Sequence, residues 1–129
     1  MAKKQIATFL GPNQGLVTLG DHCYAYSGIV SVANNELDLL SFHSGKLYIR
    51  GETQFNYAAI SNQDYKYKIY FNNQIVQQFN HVQNNPDVIT PNVVIPLIIP
   101  PLTEVRMTAV NTTDTNALDQ IVSFVGRVY

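Results

Sequence analysis

Polar and apolar residues alternate with a period of two along much of this chain, and this pattern constrains its fold more than any other feature. In the segment from Glu104 to Val110, polar side chains alternate with Val105, Met107 and Ala109. Such alternation is typical of a β-strand with one buried and one exposed face. Hardly any segment has the period of an amphipathic helix. The sequence therefore predicts an all-β fold.

Turn-forming residues divide the chain into ten segments with strand-like character. These segments are Gln5–Leu10, Leu16–Leu19, Tyr24–Val32, Leu37–Phe42, Leu47–Tyr57, Tyr65–Phe71, Gln74–His81, Val93–Ile99, Glu104–Val110 and Leu118–Val128. Turns spaced about ten residues apart are typical of a β-sandwich or a β-barrel. A length of 129 residues suits one domain and leaves too little chain for two. We therefore predict that residues 1–129 form a single antiparallel β domain, with residues 1–14 as a candidate N-terminal arm.

Several positions predict local features of these strands. Asn72 and Asn73 tolerate positive φ, so they predict the turn of a β-hairpin. Pro96 lacks a backbone N–H, which places its strand at a sheet edge or in an extended segment that crosses between sheets. Gly51 interrupts the apolar parity of its strand and predicts a bulge or bend. The final segment, Leu118–Tyr129, is apolar on both parities, which is typical of a central strand or a subunit interface.

The composition favours a subunit of a larger assembly. Hydrophobic residues make up 46% of the chain and charged residues only 13%, well below the roughly 25% of a typical soluble domain. Because protein interfaces deplete charge at their centres, a surface this poor in charge is typical of a protein with permanent partners. We predict a homo-oligomer with its interface on the two most apolar segments. The candidate interface residues are Val94, Ile95, Leu97, Ile98, Ile121, Val125 and Tyr129.

Charge and hydropathy argue against two other classes of partner. The net charge of −1 comes without clusters of Lys and Arg, so we expect no nucleic-acid partner. No apolar segment reaches the length of a membrane span, so we expect no membrane partner. The lone cysteine, Cys23, cannot form an intrachain disulfide and is expected to be a small buried side chain.

No group of residues in the sequence predicts catalysis or a metal site. His22 and Cys23 resemble a base and a nucleophile, but adjacent residues of a strand point to opposite faces. The three histidines, His22, His43 and His81, lack the paired spacing of metal ligands. Motifs for nucleophilic hydrolysis and for nucleotide binding are absent from the sequence. We therefore predict a protein that is not an enzyme and has no cofactor.

Two groups of acidic residues have both a functional and a structural interpretation. Glu36 and Asp38 lie two residues apart and resemble a pair of catalytic carboxylates, but they fit a solvated strand face equally well. Asp114, Asn116 and Asp119 offer oxygen ligands for calcium, but they lack the glycine and the glutamate of an EF-hand loop and favour a turn. We therefore assign both groups to the surface of the fold.

The eight tyrosines are candidates for core packing, sugar stacking or interface contacts. Most of them are expected in the core. Tyr48 and Tyr70 fall on the polar parity of their strands, and we predict that they are exposed. They are the candidate ligand-binding residues, with a host glycan or a second subunit as the partner.

Five segments of the chain carry a family resemblance: Gly15–Thr18, Tyr24–Gly28, Lys68–Asn73, Ile99–Val105 and Val125–Tyr129. In these segments, and over nearly its whole length, the chain resembles small jelly-roll virion structural proteins, notably capsid decoration and minor capsid proteins of marine phages and related viruses. The resemblance implies a jelly-roll-like β-sandwich of about eight strands. It also implies a trimer or another symmetric assembly on a virion, with the major capsid protein or other virion proteins as partners. It implies no catalytic residue.

Two functions from different classes follow from these observations. The first is a non-enzymatic viral structural protein, a capsid-associated decoration or minor capsid subunit that self-associates, preferably as a trimer, and binds the capsid lattice. The second is a carbohydrate- or receptor-binding module of a viral spike or fibre. Since both functions use the same fold, only the surface of the protein can distinguish them.

Overall fold

The computed structural model of the protein describes residues 15–57, 64–81, 93–113 and 117–129, and these residues form strands and turns without a helix. The strands are β1 (Val17–Leu19), β2 (His22–Tyr26), β3 (Val30–Val32), β4 (Leu37–His43), β5 (Ile49–Tyr57), β6 (Tyr65–Phe71), β7 (Gln74–His81), β8 (Val93–Ile99), β9 (Glu104–Asn111) and β10 (Leu118–Val128). The candidate arm 1–14, which includes the strand predicted at Gln5–Leu10, lies outside the described residues. So do Asp114 and Asn116 of the acidic turn.

The strands form two antiparallel sheets that pack face to face. Sheet A has the order β1-β2-β10-β5-β8, with β3 also paired to β10, and sheet B has the order β4-β9-β6-β7. The chain changes sheet at most of its connections, and most neighbours in a sheet are not consecutive in sequence. This is the strand order of a jelly roll. The prediction of an all-β antiparallel sandwich is therefore confirmed, with the predicted strand Tyr24–Val32 divided into β2 and β3.

The core lies between the sheets and is rich in aromatic side chains. The ring centroids of Phe55 and Tyr67 are 5.1 Å apart, and those of Phe42 and Phe124 are 5.3 Å apart. Each of these pairs joins one strand of sheet A to one strand of sheet B. The buried Tyr67 hydroxyl donates a hydrogen bond of 2.6 Å to Gln120 Oε1. The aromatic rings therefore bury a large apolar area without leaving this hydroxyl unpaired.

Two of the local predictions are confirmed by the backbone. Asn72 and Asn73 have φ angles of 50° and 66° and connect β6 to β7, as expected for a type I′ hairpin turn. Strand β8, which contains Pro96, lies at the edge of sheet A and pairs with β5 alone among the described strands. A proline is tolerated there because one side of the strand has no ladder to complete.

The structure shows no bulge in the register at Gly51 and gives a different reason for a glycine at this position. The registers of β5 with β10 and with β8 run through Gly51 without a shift, and Gly51 lies opposite Gly126. A Cβ atom at Gly51 would lie 2.3 Å from the Val125 carbonyl oxygen and 2.6 Å from Gly126 Cα. Glycine is therefore required because the β5 and β10 backbones approach each other closely, which periodicity alone does not reveal.

Candidate functional site

The outer face of sheet A carries exposed apolar side chains from four strands. In β2, the small residues Cys23 and Ala25 face the core, and this places Tyr24 and Tyr26 on the outside. Tyr26 is 61% exposed and Tyr24 39%. The other exposed side chains of this face are Leu19 on β1, Val94 and Ile98 on β8, and Val125 on β10. Large side chains in water on a regular sheet mark this face as a candidate contact surface.

Part of this face forms a compact group, which we call the tyrosine patch: Val17, Tyr24, Tyr26 and Val125. Val125 lies directly opposite Tyr24 in the pairing of β10 with β2, and Val17 lies opposite Tyr24 in the pairing of β1 with β2. These residues line a shallow depression of about 280 Å³. Cross-strand neighbours on one face of a sheet are in reach of each other, so the patch forms one continuous apolar surface.

A second apolar group, which we call the β8 strip, consists of Val94, Pro96 and Ile98. These residues point outward and are exposed, with Val94 at 50% and Ile98 at 55%. Ile95 and Leu97 have the opposite parity and face the core, where Leu97 is only 9% exposed. Two of the candidate interface residues on this strand therefore pack inside their own chain, because successive side chains of a strand alternate between the two faces.

Strand β5 lies between the two apolar groups, and its outward polar residues, which include Arg50 and Glu52, form what we call the polar row. Glu52 lies opposite Val125 on one side and opposite Pro96 on the other. With neighbouring strands about 4.8 Å apart, the tyrosine patch and the β8 strip are separated by roughly the width of two strand spacings. Charges on this face thus lie between and beside apolar groups, and charges placed in this way set the orientation of partners at protein interfaces.

Arg50, Arg127 and Tyr129 lie together at one end of this face. The guanidinium carbons of Arg50 and Arg127 lie 5.6 Å and 5.9 Å from the centroid of the Tyr129 ring. The Tyr129 backbone N–H donates a hydrogen bond of 2.8 Å to the Tyr48 carbonyl oxygen, which ties the end of the chain to the start of β5. Tyr129 remains 65% exposed. The predicted interface residue Tyr129 is therefore held in place at the edge of the outer face of sheet A.

Two of the candidate interface residues, Ile121 and Val125, lie on the outward parity of β10, where Ile121 is half-buried and Val125 is exposed.

Two further exposed residues of this face were not among the candidates. Tyr24 and Tyr26 were expected in the core with most tyrosines, whereas the structure buries Tyr65 and Tyr67 and leaves these two exposed. The sequence contains a signal for the exposure of these two tyrosines. Cys23 and Ala25, on the opposite parity of β2, are small apolar side chains that face the core.

The outer face of sheet B has a different character, because its polar groups are connected to one another. We call the connected residues the Glu36 network. The hydroxyls of Thr108 and Tyr70 donate hydrogen bonds of 2.6 Å and 2.8 Å to the same carboxylate oxygen of Glu36. Lys68 Nζ lies 3.8 Å from the other oxygen. The guanidinium of Arg106 lies 4.1 Å from the centroid of the Tyr70 ring, and Arg106 Nη1 is 3.0 Å from Asp38 Oδ1.

The electrostatics of the Glu36 network keep Glu36 ionised and the Tyr70 hydroxyl protonated at neutral pH. Burial alone would raise the pKa of Glu36, but the hydrogen bonds from Thr108 and Tyr70 and the charges of Lys68 and Arg106 outweigh it and lower that pKa. Burial and the hydrogen bond to Glu36 raise the pKa of the Tyr70 hydroxyl. Both shifts move the groups away from neutral pH, whereas a general acid or base needs a pKa near the working pH. The network is therefore suited to stabilising this face of the fold and is not suited to proton transfer.

The two tyrosines predicted to bind a ligand lie on different sheets. Tyr70 belongs to β6 in sheet B, is half-buried, and directs its hydroxyl at Glu36. Tyr48 precedes β5 in sheet A and is 39% exposed. The structure therefore assigns Tyr48 and Tyr70 to separate environments, and the ring of Tyr70 already contacts Arg106.

The residues considered for catalysis lie on opposite sides of one strand. His22 is exposed, whereas Cys23 is fully buried and burial raises the pKa of its thiol to about 11. A thiol in that state is not a nucleophile at neutral pH. Among the described residues, no three His, Cys, Asp or Glu side chains are grouped so that they could hold a metal ion. The same part of the chain contains no helix capable of spanning a membrane.

Comparisons with known proteins give matches in structure alone. No protein-family model matches the chain, and no curated protein matches it in sequence. The chain is similar to the infectious bursal disease virus VP2 subviral particle, with a TM-score of 0.43 and 15% identity over 99% of this chain and 37% of that chain. It is also similar to the T13 viral particle of the same virus, with a TM-score of 0.42 and 15% identity over 98% of this chain and 36% of that chain. The chain thus spans little more than a third of the chains that it matches.

Proposed function

We propose that this protein is a non-enzymatic structural subunit of a virion, a capsid-associated decoration or minor capsid protein that self-associates and binds the capsid lattice. The observation that carries the proposal is the outer face of sheet A, where the tyrosine patch and the β8 strip are exposed on one side of the sandwich. The jelly-roll order of the strands is compatible with this role, since viral capsid domains and lectins both use that fold.

The energetics of burial favour this face as the contact with another protein. Each square ångström of apolar surface removed from water contributes about 25 cal/mol, and a standard interface covers about 800 Å² on each partner. Aromatic side chains are enriched at the centres of interfaces, where they supply much of the binding energy. Tyr24 lies directly opposite Val125, with Tyr26 two residues along the same face of β2, while Arg50 and Glu52 are positioned to give the contact its orientation.

A symmetric trimer is the assembly that we expect. A ring of three subunits uses one heterologous contact and closes on itself, so each subunit must present two different surfaces to its neighbours. The outer face of sheet A, with the tyrosine patch and the β8 strip on either side of the polar row of β5, supplies one of these surfaces. In the proposed ring, this face contacts a different surface of the next subunit.

One observation favours a second function, a glycan- or receptor-binding module. The depression lined by Tyr24 and Tyr26 presents aromatic side chains in a concave surface, and such rings stack on sugars. This differs from the sequence-based candidates, Tyr48 and Tyr70, because Tyr70 is engaged by Glu36 and Arg106. Under this function, Tyr26→Ala abolishes glycan binding and leaves the molecular mass of the protein in solution unchanged.

The experiment that tests the proposal is light scattering coupled to size exclusion over a range of protein concentrations. We expect the wild type to form a trimer that dissociates in the variants Val125→Lys and Ile98→Lys, since each places a charge within an apolar contact. Leu37→Lys is the matched control, because Leu37 is a similarly exposed apolar residue on sheet B. A wild type that stays monomeric at every concentration contradicts self-association, and a glycan-array signal that Tyr26→Ala removes then supports the second function.

A further inference from the structure

We infer that the edge strand β7 pairs in antiparallel orientation with β7 of a second copy and joins two four-stranded sheets B into one continuous sheet. The inference rests on the proposed function as a self-associating subunit and adds a second contact, through a sheet edge, to the contact through the outer face of sheet A. It follows from a comparison of the sheet edges that the structure describes.

Three of the other edge strands carry features that prevent pairing with another chain. Strands β1 and β3 have three residues each, too few to offer a useful ladder of backbone groups. Strand β8 contains Pro96, which cannot donate a backbone hydrogen bond. Short edges and prolines are the means by which natural proteins avoid association through their sheets.

Strand β4, at the other edge of sheet B, is protected in a different way. Its register with β9 shifts between Asp38 and Leu40, so the strand is irregular there. Asp38 also places a charge on this edge strand. The backbone N–H of Gly15 donates a hydrogen bond of 3.1 Å to the Ser41 carbonyl oxygen, which occupies one acceptor of the strand. Bulges, charges and covering segments are all known ways to close an edge.

Strand β7 lacks these protections over most of its length. It has eight residues, Gln74–His81, with no proline and no Lys, Arg, Asp or Glu. The residues from Gln74 to Gln78 are exposed, including Ile75 at 51% and Val76 at 46%. Its register with β6 shifts only near the hairpin turn, and the pairs from Gln77 to His81 are regular. Among the described strands, β6 alone pairs with β7, and none of them pairs with the other edge of its regular part.

The chemistry of β7 makes a second copy of the same strand a suitable partner. In an antiparallel pair related by a two-fold axis, the strand lies opposite itself, and every contact occurs twice. Like charges opposite each other destabilise such a pair, but β7 has no charged side chain. Its amides, Gln74, Gln77, Gln78 and Asn80, each carry both donors and acceptors and can therefore bond to their own kind across the axis.

The two contacts have different consequences for assembly. A heterologous contact through the outer face of sheet A closes a ring, whereas a two-fold contact through β7 joins one ring to another. Sheet B is left accessible for this purpose, because the tyrosine patch and the β8 strip both belong to sheet A. Together the contacts produce assemblies larger than a ring, which suits a subunit that covers a lattice.

The test is the double substitution Gln78→Glu and Asn80→Glu. Gln78 lies opposite Lys68 and Asn80 opposite Lys66 in the β6–β7 hairpin, so the new carboxylates are attracted to lysines within their own chain and the strand stays folded. Between two copies, the same carboxylates face each other and repel. Ser31→Glu with Asn34→Glu is the control of equal charge, because both positions are exposed and lie away from β7.

The readouts are the association constant from sedimentation equilibrium and the hydrogen exchange of the β7 backbone amides. For the wild type, we expect exchange in Gln77–His81 to slow as the protein concentration rises. For the double variant, we expect the association that depends on β7 to weaken by at least about tenfold and the exchange to become independent of concentration. The control should behave as the wild type does.

Two outcomes separate this inference from the proposed function. If Val125→Lys dissociates the protein while the β7 amides exchange at the same rate at every concentration, β7 pairing is overturned and self-association through sheet A stands. If the assembly is insensitive to Val125→Lys and Ile98→Lys but dissociates in the double variant, β7 pairing is supported and the role of sheet A is overturned. Equal association constants for the wild type and the double variant also overturn the inference.

Discussion

On the outer face of sheet B, Tyr70, Thr108 and Lys68 all direct polar groups at the Glu36 carboxylate, whereas on the outer face of sheet A the exposed Tyr24 and Tyr26 lie beside apolar neighbours. The first face satisfies its polar groups within the chain. The second leaves apolar area in water, where its burial by another molecule is favourable. In a chain with only 13% charged residues, the position of the charges therefore distinguishes a face that stabilises the fold from a face that is available for contacts.

The largest effect that we expect comes from the strand that separates the apolar groups of sheet A. Gly51→Ala places a Cβ 2.3 Å from the Val125 carbonyl oxygen, and the backbone of a central strand pair cannot move aside easily. We expect the free energy of unfolding to fall by about 3 kcal/mol, measured by urea denaturation. Gly126→Ala is the control, because its Cβ would lie 3.0 Å from side-chain atoms of Ile49 and Phe124, which can shift. Equal losses in the two variants would contradict the backbone-contact explanation for Gly51.

An intermediate effect is expected from the Glu36 network on sheet B. Glu36→Gln removes a carboxylate that accepts two hydrogen bonds, and we expect a loss of about 1 kcal/mol at neutral pH, since the group is partly exposed. The free energy of unfolding is measured by urea denaturation at several pH values.

Glu36→Gln should also change how the free energy of unfolding depends on pH, and the lowered pKa of Glu36 sets the direction of this change. Because the folded state lowers the pKa of Glu36 from its ordinary value of 4.5, its stabilising contribution is present above that pH and is lost as the pH falls through the lower folded value. The wild type should therefore lose stability more steeply below pH 4.5 than Glu36→Gln does. Glu104→Gln, which removes an exposed carboxylate of β9, is the control. Parallel pH profiles for the wild type and Glu36→Gln would show that the network contributes nothing to the fold.

The smallest effect on stability is expected on the outer face of sheet A. Tyr26→Ser removes a ring that is 61% exposed, so we expect the free energy of unfolding of the dissociated subunit to change by less than about 0.5 kcal/mol. Tyr65→Phe is the matched control, because the buried Tyr65 hydroxyl donates a hydrogen bond of 2.8 Å to the Val32 carbonyl oxygen, and its loss costs about 1 kcal/mol. Thermal denaturation of the dilute protein compares the two. A larger loss in Tyr26→Ser than in Tyr65→Phe would show that the tyrosine patch stabilises the subunit itself.

Much of the fold was predictable because strand formation leaves a local signal. The alternation in 104–110 corresponds to β9, the Asn72-Asn73 pair forms the turn of a hairpin, and Pro96 lies on an edge strand. Each of these features depends on residues within a few positions of one another. The candidate site was predicted only in part, since Val94, Ile98 and Val125 are exposed on one face while Ile95 and Leu97 face the core.

Most strands, their turns and the two faces of each strand follow from local sequence, because the period of two is a property of the extended backbone. Which face is covered depends on which strands become neighbours, and this follows from the tertiary structure. Thr108 reaches Glu36 across 72 positions of sequence, and Gly51 meets Gly126 only because β5 pairs with β10. Tyr24 and Tyr26 lie outside because the opposite side of their strand fills the core. Sheet order brings distant residues together, and no local pattern contains that order.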